Sequence, residues 1–296
     1  MLARRPIRYL FFILLFALLL GFFIALSAPP RADRQWDNGF SRTPQFTEID
    51  GSQWRLTDLR AFAFDDASAA NQAWRTVEFN PTELTEVWFF VEPFEAWGGV
   101  AHTLLSFVFD GDDPQTLSIS VEARREEGET YSGFRGLFNA YELINVWSTE
   151  KDILTRIAVS LDHDIYAYRL NVTPEQAQVI LQHFIRRTNE LHERPRYYNT
   201  LTSNCTNELA KAVNDAFPGA LPPHYSHWLT GYSGQRLHEL GFLGAPHETF
   251  ADLKRKANMR DSIQAMQGIS VDTFPMAWRA HFVEQRQNVN KTQHDE

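Results

Sequence analysis

The segment from Val100 to Arg124 constrains the fold more than any other: VAHTLLSFVFD, then GDDPQ, then TLSISVEAR. Side-chain character alternates near the end of the first arm and throughout the second, the period of a strand with one buried face. The linker GDDPQ has turn composition, since glycine, proline and aspartate accept tight backbone angles. Two alternating arms around a turn make an antiparallel hairpin. An isolated hairpin is marginal in water, so the remaining chain must widen the sheet and cover it. Pairing about a turn centred near Asp112–Asp113 sets His102 opposite Glu122 or Ala123. Ser118, Ser120 and Glu122 share one face of the second arm. An imidazole and a carboxylate therefore meet on neighbouring strands, as a base and its orienting partner must. A hydrogen-bonded core histidine would leave the same pattern.

The rest of the chain alternates strands with a few helices. Trp54–Phe64, Thr76–Asn80 and Leu84–Pro93 read as strands, the last rich in β-branched and aromatic residues. A loop rich in Gly133, Gly136 and aromatic residues leads to Tyr141–Val146, and Leu154–Ser160 and Ile165–Leu170 read as two more strands. The LDHD turn joins the last two and takes His163 and Asp164 as turn residues. Pro174–Leu191 is an amphipathic helix with Ala177, Ile180, Leu181, Phe184, Ile185 and Leu191 on its apolar stripe. The class is α+β. Beyond Gly244 the pattern weakens, and Gln285–Glu296 has the composition of a disordered tail.

One cysteine is present among the 296 residues, in YYNTLTSNCTNELAKA, residues 197–212. Ser203 and Asn204 are good N-cap types. Leu209, Ala212, Val213 and Phe217 then follow helical spacing until Pro218-Gly219. Cys205 thus lies in the first turn of a helix, where free N–H groups and the dipole favour a thiolate. A lone cysteine is often a small buried hydrophobe, but the polar flanks Asn204 and Thr206 are unusual for one that only fills a core.

The leader MLARRPIRYLFFILLFALLLGFFIALSAPP carries no charge from Tyr9 to Ala28, about 20 residues and enough to span a bilayer as a helix. Arg4, Arg5 and Arg8 precede it, which sets the N-terminus in the cytoplasm and the main domain in the periplasm. A single-pass inner-membrane anchor at 1–30 is expected, with a cleaved signal peptide ending near Ala25-x-Ser27 as the alternative. A tether over 31–48, a domain over 49–245 and a partly disordered extension over 246–296 complete the expected organisation. An exported chain with one cysteine keeps a free thiol in an oxidising space, a liability unless the thiol is used or shielded. The formal net charge of −9 and the lack of a basic stripe argue against nucleic acid as a partner. No Cys pair or HExxH occurs, His224 and His227 fall in a proline-led loop, and Asp110, Asp112 and Asp113 suit a turn. Neither a metal nor a cofactor is expected.

AHTLLSFVFD, LSISVEARREEGETYS, YEL at 141–143, RYYNTLTSNCTNEL and GYSGQRLHELGFL, in that order, resemble the Lnb-type N-terminal periplasmic domain family over about residues 50–245. The resemblance implies a permuted papain-like fold, similar to NlpC-type hydrolases and lecithin:retinol acyltransferase. There an antiparallel sheet packs on the cysteine-bearing helix, and the histidine strand precedes that helix. It implies Cys205 as nucleophile and His102 as base, with Glu122, or Ser120 if the register slips, orienting His102. Asn204 would cap the helix or assist an oxyanion site formed by the Cys205 N–H. Arg124 would hold Glu122 or an anionic substrate group, and Tyr131, Tyr141 and Thr200 are candidates for the substrate wall. Three functions remain open. Acyl transfer through a thioester, with phospholipid as donor and a lipoprotein amine as acceptor, implies an apolar groove leading to Cys205. Hydrolysis of peptidoglycan peptides or amides implies an open polar cleft. A membrane-anchored binding module implies a buried Cys205 away from His102.

Overall fold

The computed structural model describes residues 9, 12–16, 28–64, 69–94, 98–111 and 113–294. Most of the apolar leader Tyr9–Ala28 lies outside the described residues, and among those described no helix is long and apolar enough to cross a membrane. The architecture is α+β, built on an eight-stranded sheet. Along the sheet the order is β1 (Gln45–Glu48), β2 (Trp54–Arg60), β9 (Glu142–Ser148), β8 (Gln115–Arg124), β7 (Ala101–Phe109), β6 (Leu84–Pro93) and β10 (Tyr166–Arg169). Strand β5 (Trp74–Phe79) also pairs with β2, and β3 (Ala63–Phe64) with β4 (Ala69–Asn71) forms a small separate ladder. The sheet is mixed rather than wholly antiparallel, because β2 meets β9 in parallel at Arg60↔Ser148.

The β7–β8 hairpin follows the expected register from Phe109↔Gln115 to Leu104↔Ser120. There the ladder stops, although β7 continues to pair with β6 through Glu92↔His102 and Pro93↔Ala101. The first residues of β7 and the last of β8 thus lie unpaired to each other. This gap is where the cavity described below opens.

Alternation along the central strands feeds two cores. Leu105, Phe107, Phe109, Leu117, Ile119 and Val121 face helices α2 (Pro174–Glu193) and α3 (Cys205–Ala216). Leu104, Val108, Trp88 and Phe90 face the opposite way, against α1 (Glu150–Thr155) and the C-terminal helices. Helix α2 begins as its sequence dictates, with Thr173 and Gln176 exchanging side-chain and backbone bonds in a capping box and Pro174 in the first turn.

Three regions depart from the sequence reading. Leu154–Ser160, expected as a strand, completes α1 and passes into a π-helical turn over Arg156–Ser160. Thr149 caps α1 by accepting from the Asp152 N–H, and Asp152 is itself buried as the partner of Arg60 at 2.8 Å. Those polar contacts outweigh the β-branched composition that suggested a strand. The segment expected as a tether is docked: Trp36 lies under Arg124, Phe40 is buried, and Gln45–Glu48 is a sheet strand. Most of the expected extension is packed as well. Helices α4 (Ser233–Glu239), α5 (Phe250–Arg255), α6 (Arg260–Ala265) and α7 (Phe274–His294) follow α3, and α7 runs through most of the segment expected to be disordered. Its Phe274, Trp278 and Phe282 fall on one stripe, and the Trp278 ring meets Trp88 edge-on at 5.0 Å.

Helix α7 also closes a buried polar network. Glu150 is fully buried and accepts from Trp278 Nε1 at 2.8 Å, from Arg279 Nη1 at 2.7 Å, and from the Ser106 hydroxyl. Trp278→Ala removes a large ring and one donor to a buried carboxylate together. It is expected to lower stability by roughly 3–5 kcal/mol in urea unfolding. A change no larger than that of an ordinary surface substitution, about 0.5 kcal/mol, would detach the C-terminal helices from the cooperative fold.

Candidate active site

Cys205 owes its position to the residue before it. Asn204 caps α3: its Oδ1 accepts from the Asn207 N–H at 2.8 Å, while its Nδ2 donates to the carbonyls of Thr200 and His227, each at 2.8 Å. The whole amide is thereby committed to structure, and the capping role is the one it fills. Ser203 Oγ donates to Glu208 Oε1 at 2.7 Å, and Glu208 also pairs with Arg187, which ties the first turn of α3 to α2. A pinned first turn holds Cys205, 7% exposed, at the positive end of the helix.

Across the opening between β7 and β8 stands His102. Its Nε2 lies 2.6 Å from Ser120 Oγ and 3.3 Å from Glu122 Oε1, and Ser120 Oγ donates to Glu122 Oε1 at 2.6 Å. Glu122 and the fallback Ser120 are therefore not alternatives: both hold the ring. Continued past Leu104↔Ser120, the hairpin register sets Glu122 opposite His102. His102 and Cys205 line the same cavity, and each shifts the titration of the other.

The electrostatics follow from this contact chain. Burial alone would keep His102 neutral, but the Glu122 carboxylate and the neighbouring thiol more than offset it and hold the imidazolium well above its ordinary range. Burial likewise opposes ionisation of Cys205. Its hydrogen bond and charge interaction with His102, with hydrogen bonds from Thr103, still bring the thiol below its ordinary value. Glu122 is desolvated too, yet His102, Arg156 and Ser120 hold it strongly ionised. The three groups favour a thiolate–imidazolium pair backed by a carboxylate.

This chain lines a cavity of about 250 Å³. Tyr131 and Thr200, both expected in the wall, are there. Tyr131 Oη lies 3.1 Å from Tyr198 Oη, and Thr200 Oγ1 donates to the Gly133 carbonyl at 2.7 Å. Gly136 permits this close approach, since a Cβ there would fall 2.4 Å from Thr200 Oγ1. Tyr141 lies behind the wall: its hydroxyl donates to the Thr130 carbonyl at 3.1 Å and accepts from the Ser132 N–H at 2.9 Å, holding the loop that carries Tyr131. Arg124 is elsewhere. Its Nε donates to the Phe40 carbonyl at 2.9 Å, its guanidinium stacks 4.2 Å over Trp36, and burial lowers its pKa to about 10.

Several wall residues escaped the sequence reading. His163, assigned to a turn, reaches the cavity and bonds through Nδ1 to Glu92 Oε1 at 2.6 Å, a contact that raises its pKa. Glu92 pairs across β6–β7 with His102, a register position that the two strand assignments alone could have exposed. Arg125, Arg156 and Trp228 also line the cavity. Arg156 was hidden by the mistaken strand, because a π-helical turn has no period to recognise. Among the described residues no group of His, Cys, Asp and Glu is arranged to hold a metal ion.

A family model for the Lnb N-terminal periplasmic domain matches residues 70–230, more than half of the chain and a span that contains His102, Glu122 and Cys205. The chain belongs to that family. No curated protein and no solved structure matches it. Every residue named above in the wall of the Lnb-type domain's cavity, from Glu92 to Trp228, falls within the matched span.

The charge arrangement in the Lnb-type domain has a direct readout. With Cys205 lowered and His102 raised, the thiolate is present between the two titrations and is lost as pH falls through that of Cys205. Iodoacetamide is expected to label Cys205 at pH 6, well below the ~8.5 of an ordinary thiol. In His102→Ala the cation is gone while burial still opposes ionisation, so the onset moves upward past the ordinary thiol range. Equal pH profiles for the two proteins would exclude an activated pair.

Proposed function

We propose that this protein is a periplasmic thiol acyltransferase, held at the inner membrane by its Tyr9–Ala28 segment, that moves an acyl group through a thioester on Cys205. The observation that carries the proposal is the shared cavity of Cys205 and His102, with the imidazole held by Ser120 and Glu122 and the rim apolar. Phe94, Val100, Leu161 and Trp228 line that cavity and are each more than a third exposed. A thiol and a carboxylate-backed histidine in one cavity are at odds with a pure binding module, which needs neither. The exposed apolar rim favours an acyl chain over the open polar cleft that a peptidoglycan hydrolase would need. A permuted papain-like ancestry suits the same elements, since the histidine strand β7 precedes the cysteine helix α3 and packs beside it.

The steps follow from the geometry. Nε2 of His102 is engaged by Ser120 and Glu122, so Nδ1 is the nitrogen assigned to proton exchange with the thiol. The Cys205 thiolate attacks the carbonyl carbon of a phospholipid ester. An S–C bond forms, the C–O bond breaks, and the imidazolium proton passes to the departing alkoxide, which leaves as the lysolipid alcohol. The oxyanion formed on the way is stabilised by the N–H groups of the first turn of α3, that of Cys205 foremost. The amino group of a lipoprotein N-terminus then attacks the thioester. An N–C bond forms, the C–S bond breaks, and His102 takes a proton from the nitrogen, restoring the thiolate–imidazolium pair. Neither step calls for a metal or a cofactor. Glu122 stays ionised throughout and keeps the ring oriented, as the acid of a catalytic triad does.

Intact-mass analysis after incubation with phosphatidylglycerol vesicles tests the proposal. An adduct equal to one fatty acyl group is expected on the wild-type protein and on Glu122→Gln at a rate lower by about 10²-fold or more, and none on Cys205→Ala. An acyl adduct that forms only with a cell-wall peptide would replace the transferase by the hydrolase reading. No adduct with either, in protein that labels with iodoacetamide at pH 6, would remove the thioester route.

A further inference from the structure

The wall of the cavity that holds Cys205 and His102 also carries two guanidinium groups to which the steps above give no part in bond making or proton transfer. Arg156 is half-buried at the start of the π-helical turn Arg156–Ser160. The turn is fixed from behind, because Ile157 and Ala158 are fully buried in the core on that side of the sheet. Its wide geometry closes through the bond from the Leu161 N–H to the Arg156 carbonyl at 3.0 Å, and it delivers Arg156, Leu161 and His163 to one wall. A π-helical turn is uncommon in an ordinary helix and recurs at functional sites. The second guanidinium, that of Arg125, lies 5.1 Å from the Phe40 ring and faces the same space.

The charges of the wall do not cancel. Its two carboxylates are each matched by an imidazole, Glu92 by His163 and Glu122 by His102. Among the described residues neither Arg125 nor Arg156 is in a salt bridge, although Arg156 is near enough to Glu122 to help keep it ionised. With both carboxylates matched by imidazoles, two guanidiniums remain against one thiolate. Guanidinium groups held without a carboxylate partner in a partly desolvated wall favour a bound anion, most of all one with several oxygens in fork geometry. Beside them the rim is apolar, with Leu161 38% and Trp228 52% exposed. An anion site flanked by exposed apolar side chains matches an amphiphile better than a free anion or a polar peptide.

We propose that Arg156, assisted by Arg125, forms an anion subsite of the Cys205 cavity that receives the phosphate of an amphiphilic ester, with the apolar rim taking the adjoining chain. This rests on Cys205 being the reacting group and adds the feature that selects its substrate. Arg156 acts by binding and takes no part in proton transfer.

Two reagents of nearly equal size read the local potential: iodoacetate, an anion, and iodoacetamide, its neutral counterpart. Each variant's iodoacetamide rate serves as its own reference. The iodoacetate-to-iodoacetamide rate ratio is expected to fall about tenfold in Arg156→Gln and to be largely kept in Arg156→Lys, as loss of one nearby charge requires. Protection of full-length protein gives the second arm. Dihexanoylphosphatidylglycerol should shield Cys205 from iodoacetamide at about tenfold lower concentration than uncharged dihexanoylglycerol in the wild type, with no such preference in Arg156→Gln. An unchanged rate ratio in Arg156→Gln, or equal protection by both lipids in the wild type, overturns the subsite. Inorganic phosphate protecting as well as the charged lipid, or a short peptide with a free C-terminal carboxylate protecting better, overturns the amphiphile. Should Arg156→Gln fail to fold, the wild-type lipid comparison and the Arg156→Lys ratio still decide. Failure of the Cys205–His102 reading gives a different signature: labelling then begins only at alkaline pH, where both the ratio and the protection can still be measured.

Discussion

Burying Glu122 and His102 together is the condition on which the site depends. Either group alone in this wall would titrate to its neutral form, since desolvation opposes charge on both. Each supplies the counter-charge that the other lacks, and Ser120 satisfies them both through one hydroxyl. The imidazolium that results is what lets a buried thiol ionise. Remove the carboxylate and the order collapses from the bottom: the ring loses its charge, then the thiol loses its partner. The dependence is thus directional, running from Glu122 on β8 through His102 to Cys205.

The sheet makes that arrangement possible by failing at one place. A ladder that continued past Leu104↔Ser120 would commit the backbone of His102 and Glu122 to each other and close the gap. Instead β7 stays paired with β6 on its other side, which keeps His102 in register while the space toward β8 stays open. The N-terminus of α3 fits against this opening because Asn204 turns the chain there and anchors it to Thr200 and His227. The near approach of a second loop is equally exact in its demands. Gly231 donates its N–H to the Gly99 carbonyl at 3.1 Å, and a Cβ on it would collide with the backbone of Gly98.

Much of this was legible from residues alone where a period or a cap exists. The hairpin register followed from alternation about GDDPQ, and it brought His102 to Glu122; the helix start at Cys205 followed from the N-cap type of Asn204. What stayed hidden has a common cause. Leu154–Ser160 is apolar and β-branched enough to pass for a strand, and its helical state is fixed by Asp152 meeting Arg60, a contact 92 residues away in sequence. With that segment misread, Arg156 had no place in the site. Residues 31–48 read as a tether and 246–296 as a partly disordered extension because their pattern is weak, yet Phe40 and Trp278 are both buried. Sparse anchors leave no periodic signal, although each covers a large area once the sheet is formed.

The division of labour along the chain follows the same logic. The family span 70–230 holds the cysteine helix, the histidine strand and the cavity wall, while β1, β2 and helices α5–α7 lie outside it. Those outer parts reach the cavity through the sheet and through the π-helical turn, to whose Ala158 carbonyl Gln264 of α6 donates at 2.8 Å. β1 and β2 widen it beyond β9, and α7 covers the face that α1 leaves bare, with Trp278 and Arg279 supporting Glu150. Glu150 in turn caps the approach to the π-helical turn, since it opens the helix that ends at Arg156. A fold of this kind constrains which atoms can react far more tightly than what they react with. Cys205 and His102 are placed by one capping asparagine and by strand register, whereas the proposed anion subsite stands on a turn whose geometry is held from the far side of the sheet. Substitutions among the C-terminal helices would therefore reach the wall through Arg156 before they disturbed Cys205.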